Sequence, residues 1–226
     1  MTSAGKICRS FLFYLFFAYD IILAVEAREN NNSIILLGIK HSGKSTQGKL
    51  LAKHFGCDFY DTDDEIIALT GKTPRQIYSE DGKDSFLKAE KDACEKLSER
   101  IEKSGGRAVV ATGGGICANQ DALDSLRKIG IFVFLNSDEE TACNRIIREI
   151  KYEKDGNGTV MTNLPAYIAK ENPSDISDVR KIFHRFYTER QKLYKAICDV
   201  DVKLLRSASK QENAEKIIDA LEQANR

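Results

Sequence analysis

The stretch Ile34-Ile35-Leu36-Leu37-Gly38-Ile39-Lys40-His41-Ser42-Gly43-Lys44-Ser45-Thr46 constrains this chain more than any other. Its apolar start reads as a buried strand that breaks into G-x-x-x-x-G-K-S at the mouth of a helix-forming segment. Gly38 and Gly43 tolerate the dihedrals and the close approach that let the intervening backbone N–H groups turn inward around an anion. Lys44 reaches the outer phosphates of a nucleotide, the Ser45 hydroxyl suits Mg²⁺, and the helix beginning near Lys44 aims its positive dipole end at the same group. The motif therefore predicts ATP or GTP binding through Gly38, His41, Ser42, Gly43, Lys44, Ser45 and Thr46, with His41 in a variable position of the loop and incidental to it. A bare match also arises by chance in glycine-rich loops; here the strand before and the helix after both agree with the motif's mechanics.

At 226 residues the chain is long enough for one well-buried α/β domain. Lys plus Arg and Asp plus Glu each number 34, so the balance is zero and no long basic block exists to neutralise a nucleic-acid backbone. Anion binding must then be local. The six cysteines show no C-x-x-C spacing, which argues against zinc and against a disulfide framework and favours free thiols in a reducing, cytoplasmic setting. Residues 1–32 differ from the rest. Lys6 and Arg9 precede an apolar run over residues 11–25 broken only by Asp20, a signal-like composition too short and too acidic for a membrane span, so no stable membrane association is expected. We read 1–32 as a non-core extension, either a start placed too far upstream or a targeting segment, with the domain over 33–226.

Beyond the first strand, the pattern predicts a helix over 46–54, a strand over 57–60 delivering Asp61-Thr62-Asp63-Asp64, and helices over 65–69, 73–81 and 85–103. Strands follow at 108–111, running into Thr112-Gly113-Gly114-Gly115, at 131–135 and at 200–204, with helices near 138–150 and up to about 223. Alternating strands and helices imply a parallel sheet covered on both faces, whose ligands collect beyond the carboxyl ends of the strands. The phosphate loop, the Asp61/Asp63 pair and the triple glycine all fall at such ends. Residues 151–163, with Asp155-Gly156-Asn157-Gly158, are the least structured, either a mobile flap over the site or a surface loop.

Phosphoryl transfer needs positioning and charge neutralisation. Asp61 and Asp63 lie two apart, so on an extended segment they project to one side. One carboxylate then fits the Mg²⁺ shell and the other a proton-accepting role, against the alternative of an Asp-rich helix cap. The glycine triplet reads as a platform offering backbone amides to a polyhydroxylated ligand, against the alternative of a mere turn. His54 and His184 read as surface or packing residues; Tyr78 and Phe86 read as core aromatics, with a pocket wall the alternative.

Together, residues 38–46, Phe59-Tyr60-Asp61-Thr62-Asp63, Ile77-Tyr78-Ser79-Glu80-Asp81-Gly82, Phe86 with Glu90, Val110-Ala111-Thr112-Gly113-Gly114-Gly115 and Glu189-Arg190-Gln191-Lys192-Leu193-Tyr194 resemble the shikimate kinase family in order and spacing. The resemblance implies a nucleoside-monophosphate-kinase-like three-layer α/β fold with a five-stranded parallel sheet and a lid, placed here at about 149–175. It implies phosphorylation of the shikimate 3-hydroxyl by ATP, and a monomer is expected. By position, Ser45 and Asp61 would manage Mg²⁺, Lys44 and Asp63 would be catalytic, and Asp63 would also hold the acceptor. Phe86, Gly114 and Gly115 would line the shikimate site, Arg190 would pair with its carboxylate, and Arg145 would stack on adenine. Two departures stand out. Leu87 occupies the place of a second carboxylate-binding arginine, with Lys88 beside it, and the usual R-P-L-L lid segment is missing after Arg148, where only Lys151, Lys154 or Lys170 offer a charge. Leu87 motivates a related kinase for another sugar acid, such as gluconate, as the alternative; the altered lid motivates a non-catalytic nucleotide-binding regulator.

Overall fold

The computed structural model describes residues 33–155 and 158–224; the apolar N-terminal run lies outside them. Strand β1 (Ser33–Leu37) is the centre of the molecule, with all five residues buried. Its alternate side chains feed two different cores. Ile35 and Leu37 join one apolar cluster with Val110, Phe132 and Phe134, while Ile34 and Leu36 join another with Val109, Val133 and Leu135. A strand buried on both sides reads as a continuous apolar run, the pattern of a parallel sheet covered by helices.

Helix α1 (Lys44–Phe55) leads to β2 (Asp58–Asp61), α2 (Thr62–Thr70), a single turn α3 (Pro74–Gln76) that passes into a wide turn over Ile77–Asp81, and the long α4 (Gly82–Ser104). Then come β3 (Ala108–Ala111), α5 (Gln120–Arg127), β4 (Gly130–Asn136), α6 (Glu139–Glu149), the strand pair β5 (Lys151–Asp155) and β6 (Gly158–Thr162), α7 (Ala166–Ala169), α8 (Ile176–Ile197), β7 (Val200–Lys203) and α9 (Lys210–Ala224). The main sheet has order β2-β3-β1-β4-β7 and every pairing in it is parallel. Leu51 of α1 and Ile217 of α9 pack on one face, whereas Leu97, Leu123 and Ile146 from α4, α5 and α6 pack on the other. The chain thus leaves β1 toward one face and β3 toward the other, which opens a crevice beyond the carboxyl ends of these two neighbours. A third, small cluster of Ile66, Ile77, Ala89 and Ala93 holds α2, the wide turn and α4 together at the β2 side.

Three expectations are corrected. Residues 151–155 and 158–162 are not unstructured but pair as antiparallel strands, with Asp155 paired to Gly158 and therefore only two residues between the strands. A Gly-Asn pair between short strands is a hairpin signal, masked here because only Tyr152, Val160 and Met161 break the polar run. Helix α5 has no clear signal in the sequence pattern; Asn119 starts it by accepting from Ala122 N–H, a cap that polar neighbours conceal. Tyr78 is 41% exposed and lies edge-on to Phe86, not in the core. Among the described residues no helix is long and apolar enough to cross a membrane.

Candidate active site

The loop after β1 is held by its own backbone. Gly38 (φ 149°) has no room for a side chain, since a Cβ there would fall 2.7 Å from Ser42 Oγ and 3.0 Å from Leu135 O. His41 and Gly43 also take positive φ, 64° and 99°. No side chain caps the start of α1, so its first N–H groups stay available to an anion. Lys44 is buried, and its Nζ donates to Gly38 O (2.7 Å) and Ile39 O (2.9 Å). Burial lowers its pKa to about 8, against the opposing pull of Asp63 and Asp61. A cation kept dry beside uncapped helix amides fits a nucleotide's phosphates.

Ser45 Oγ donates to Asp61 Oδ2 at 2.7 Å, which places two hard oxygen ligands side by side at the loop's mouth. Among the described residues no group of three or more His, Cys, Asp or Glu could hold a metal by itself. The Ser45–Asp61 pair offers the one or two protein oxygens by which Mg²⁺ is commonly held, its shell being completed by phosphate and water. The expected geometry of the aspartates needs correction. They do not share an extended segment: Asp61 ends β2 and caps α2 by accepting from Asp63 N–H (3.1 Å), and Asp63 lies in the first turn of α2. The helix begins three residues earlier than expected because that cap satisfies one of its orphan donors. The two carboxylates nevertheless stay close: burial first, then the neighbouring Asp61, raise the Asp63 pKa, while Lys44 opposes the shift.

The triple glycine is packed more tightly than a ligand platform alone would require. Gly113 N–H is taken by Thr62 Oγ1 (2.9 Å), and a Cβ on Gly113 would lie 3.1 Å from Asp63 Oδ1 and 3.2 Å from Glu90 Oε1. A Cβ on Gly114 would lie 2.6 Å from Lys40 N, so here the glycine serves backbone-to-backbone contact with the phosphate loop. Gly115 has open space where its Cβ would be. Glu90, 1% exposed, accepts from Asn119 Nδ2 (2.9 Å) through Oε2, while its Oε1 has no protein partner. Burial pushes its pKa up to about 7. Arg190, half-buried on α8, donates from Nη1 to Cys117 Sγ (2.6 Å) and Gly115 O (3.3 Å) and lies over the Phe186 ring. Phe86 packs on the small third cluster. Lys88 does not stand in for the expected arginine at position 87: it is exposed and borders shallow outer grooves on α4 that contain none of Asp63, Glu90 and Arg190.

On the other side of the phosphate loop, a cavity of about 340 Å³ is bordered by Gly43, Thr46, Asp138, Arg145, Arg206 and Lys210. Arg145 Nη1 donates to His41 O, which ties α6 to the loop. A hollow of about 920 Å³ between α6 and α8 shares no residue with this site. The structure thus brings Gly38, His41, Ser42, Gly43, Lys44, Ser45, Thr46 and Arg145 to one side and Asp61, Asp63, Gly114, Gly115 and Arg190 to the adjoining rim, while Phe86 packs on the third cluster. Pattern reading missed Arg206 and Lys210, which sit beyond the last strand without a motif. It also missed the roles of Asn119 and of Tyr194, although Tyr194 follows Arg190 by one helical turn, a spacing that puts both on one face.

Comparison with known proteins agrees with this geometry. A sequence model described as shikimate kinase matches residues 40–222. The shikimate kinase of Thiobacillus denitrificans is 30% identical over 78% of this chain and 84% of its own length. That of Chlorobium phaeobacteroides is 31% identical over 64% of this chain and 78% of its own length. Among solved structures, the shikimate kinase of Aquifex aeolicus aligns with a TM-score of 0.59 at 26% identity, covering 85% of this chain and 98% of its own. The Acinetobacter baumannii enzyme, solved in complex with shikimate, has the same fold, with a TM-score of 0.66 at 24% identity over 89% of this chain and 98% of its own. On its matched length, its sheet order and the residues gathered at the carboxyl ends of its strands, the chain belongs to the shikimate kinase family.

Proposed function

We propose that this chain transfers the γ-phosphoryl group of ATP to the 3-hydroxyl of shikimate. The observation that carries the reading is the meeting, at one rim, of the dry Lys44 ammonium, the Ser45–Asp61 oxygen pair and the Asp63 carboxylate beside Gly113. Lys44 leaves its two loop carbonyls for the phosphates, supplying positive charge where negative charge develops. Ser45 and Asp61 would hold Mg²⁺, whose chemistry is to neutralise phosphate charge. Asp63, with its pKa raised by burial and by Asp61, is suited to orient the acceptor hydroxyl and accept its proton. Arg190 takes the substrate carboxylate by exchanging its contacts to Cys117 and Gly115 for a bidentate pair. Arg145 and Arg206 border the cavity suited to the base, and residues 149–175, with their hairpin and α7, supply the lid.

The acceptor is tested by measuring ADP release with purified protein, ATP and magnesium, adding shikimate or gluconate. Turnover on shikimate alone is expected. Turnover on gluconate alone reassigns the acceptor, as Leu87 would allow, and ATP binding without turnover on either makes the chain a nucleotide-binding regulator.

A further inference from the structure

Tyr194 is, among the described residues, the fully buried aromatic whose polar tip reaches both loops of the site. Its hydroxyl lies 2.9 Å from Gly114 O and 3.3 Å from Gly38 O, so a single proton is shared between a carbonyl of the acceptor platform and one of the phosphate loop. Its ring stacks on Phe134 of β4, with centroids 5.1 Å apart, and the residue is 0% exposed. The ring is therefore fixed by the sheet, and the hydroxyl by the two loops. These loops already touch backbone to backbone, since a Cβ on Gly114 would strike Lys40 N. Gly38 O is in addition an acceptor for Lys44 Nζ.

We infer that Tyr194 is a positioning residue for phosphoryl transfer: its hydroxyl sets the spacing between the phosphate loop and the acceptor platform and keeps Gly38 O partnered when Lys44 moves to the nucleotide. A buried carbonyl that lost Lys44 without another donor would be left unpaired, which would hold Lys44 back on its own loop. With the hydroxyl present, Lys44 exchanges one set of oxygens for another while the loop stays in place. The inference rests on the proposed function, but the two are tested separately. Turnover of the unaltered chain on shikimate reports the function, and the ratio of variant to unaltered turnover reports Tyr194.

The test compares Tyr194→Phe, which removes only the hydroxyl, with Phe134→Leu, which removes the stacking surface and leaves the hydroxyl. For Tyr194→Phe, kcat should fall about tenfold to a hundredfold, the effect of a sub-ångström to ångström misplacement of reacting groups, while both KM values change by less than about threefold and the melting temperature holds within a few degrees. Phe134→Leu should lower the melting temperature while kcat stays within about threefold of the unaltered chain. Three outcomes would overturn the inference: a Tyr194→Phe protein with kcat within twofold of normal, one that fails to fold, or a Phe134→Leu protein whose kcat falls as far as that of Tyr194→Phe. In the latter two cases Tyr194 acts only through core packing.

Discussion

The proposed nucleotide half and the proposed acceptor half of this site are built in opposite ways. Residues 38–46 form the phosphate loop as one continuous segment, held by glycine dihedrals and by hydrogen bonds inside itself, such as Lys44 Nζ to Gly38 O. The acceptor half draws on α2, α4, the turn after β3 and α8, whose contributors Asp63, Glu90, Gly114 and Arg190 meet only once the sheet has formed. A segment that carries its own geometry leaves little room for variation. An assembly of distant residues leaves more room for exchanges such as Leu87, where the family resemblance implies an arginine. The lesson is that phosphate binding should be brittle toward single changes, and acceptor binding adjustable.

Substitutions on each side sharpen that contrast. Lys44→Ala should lower turnover about a thousandfold, as for a principal charge donor at developing negative charge. Asp63→Asn should lower kcat about a hundredfold or more while ADP affinity, read by calorimetry, changes less than about threefold. Equal loss of ADP affinity in both variants would erase the division between the halves.

Glu90 offers a smaller effect with a defined sign. Its pKa is raised by burial from 4.5 to about 7, so the folded chain holds this proton more tightly than the unfolded chain. The stability it favours is fully present below pH 4.5 and is lost as pH rises to about 7. Glu90→Gln should therefore flatten that fall and leave the variant more stable at pH 8 by roughly 3 kcal/mol, with no advantage near pH 4. Denaturant titrations at both pH values measure this. Parallel profiles would mean that the carboxylate is compensated in the folded state.

Leu87→Arg should have the mildest consequence. It adds a charge-assisted hydrogen bond on the acceptor side and should lower the KM for shikimate about tenfold with little change in kcat. An unchanged or higher KM would show that the surroundings of Glu90 have been rebuilt around leucine, which is the adjustability the comparison implies.

Much of this architecture was legible residue by residue. The continuous apolar run of β1 marked a strand buried on both faces, and G-x-x-x-x-G-K-S marked the loop and helix after it, because both depend on neighbours in sequence. The triple glycine was correctly placed at a strand end, but its reason was only partly visible. Its contact with Lys40 N arises from a loop 74 positions earlier in the chain. The Asp61/Asp63 pair stands out in the sequence, but its geometry does not, since a local cap starts α2 earlier than hydrophobic spacing indicates.

By itself, then, the sequence determined the phosphate loop, the alternation of strands and helices and the placing of the Asp61/Asp63 pair at a strand end, all of them consequences of local dihedrals and short-range periodicity. Only the tertiary structure decided that Thr62 occupies the Gly113 amide, that Glu90 keeps an unpartnered oxygen, and that Tyr194 reaches two loops at once. Those facts depend on distances between elements far apart in the chain, and such distances are set by how helices pack on the sheet, not by the order of residues along it.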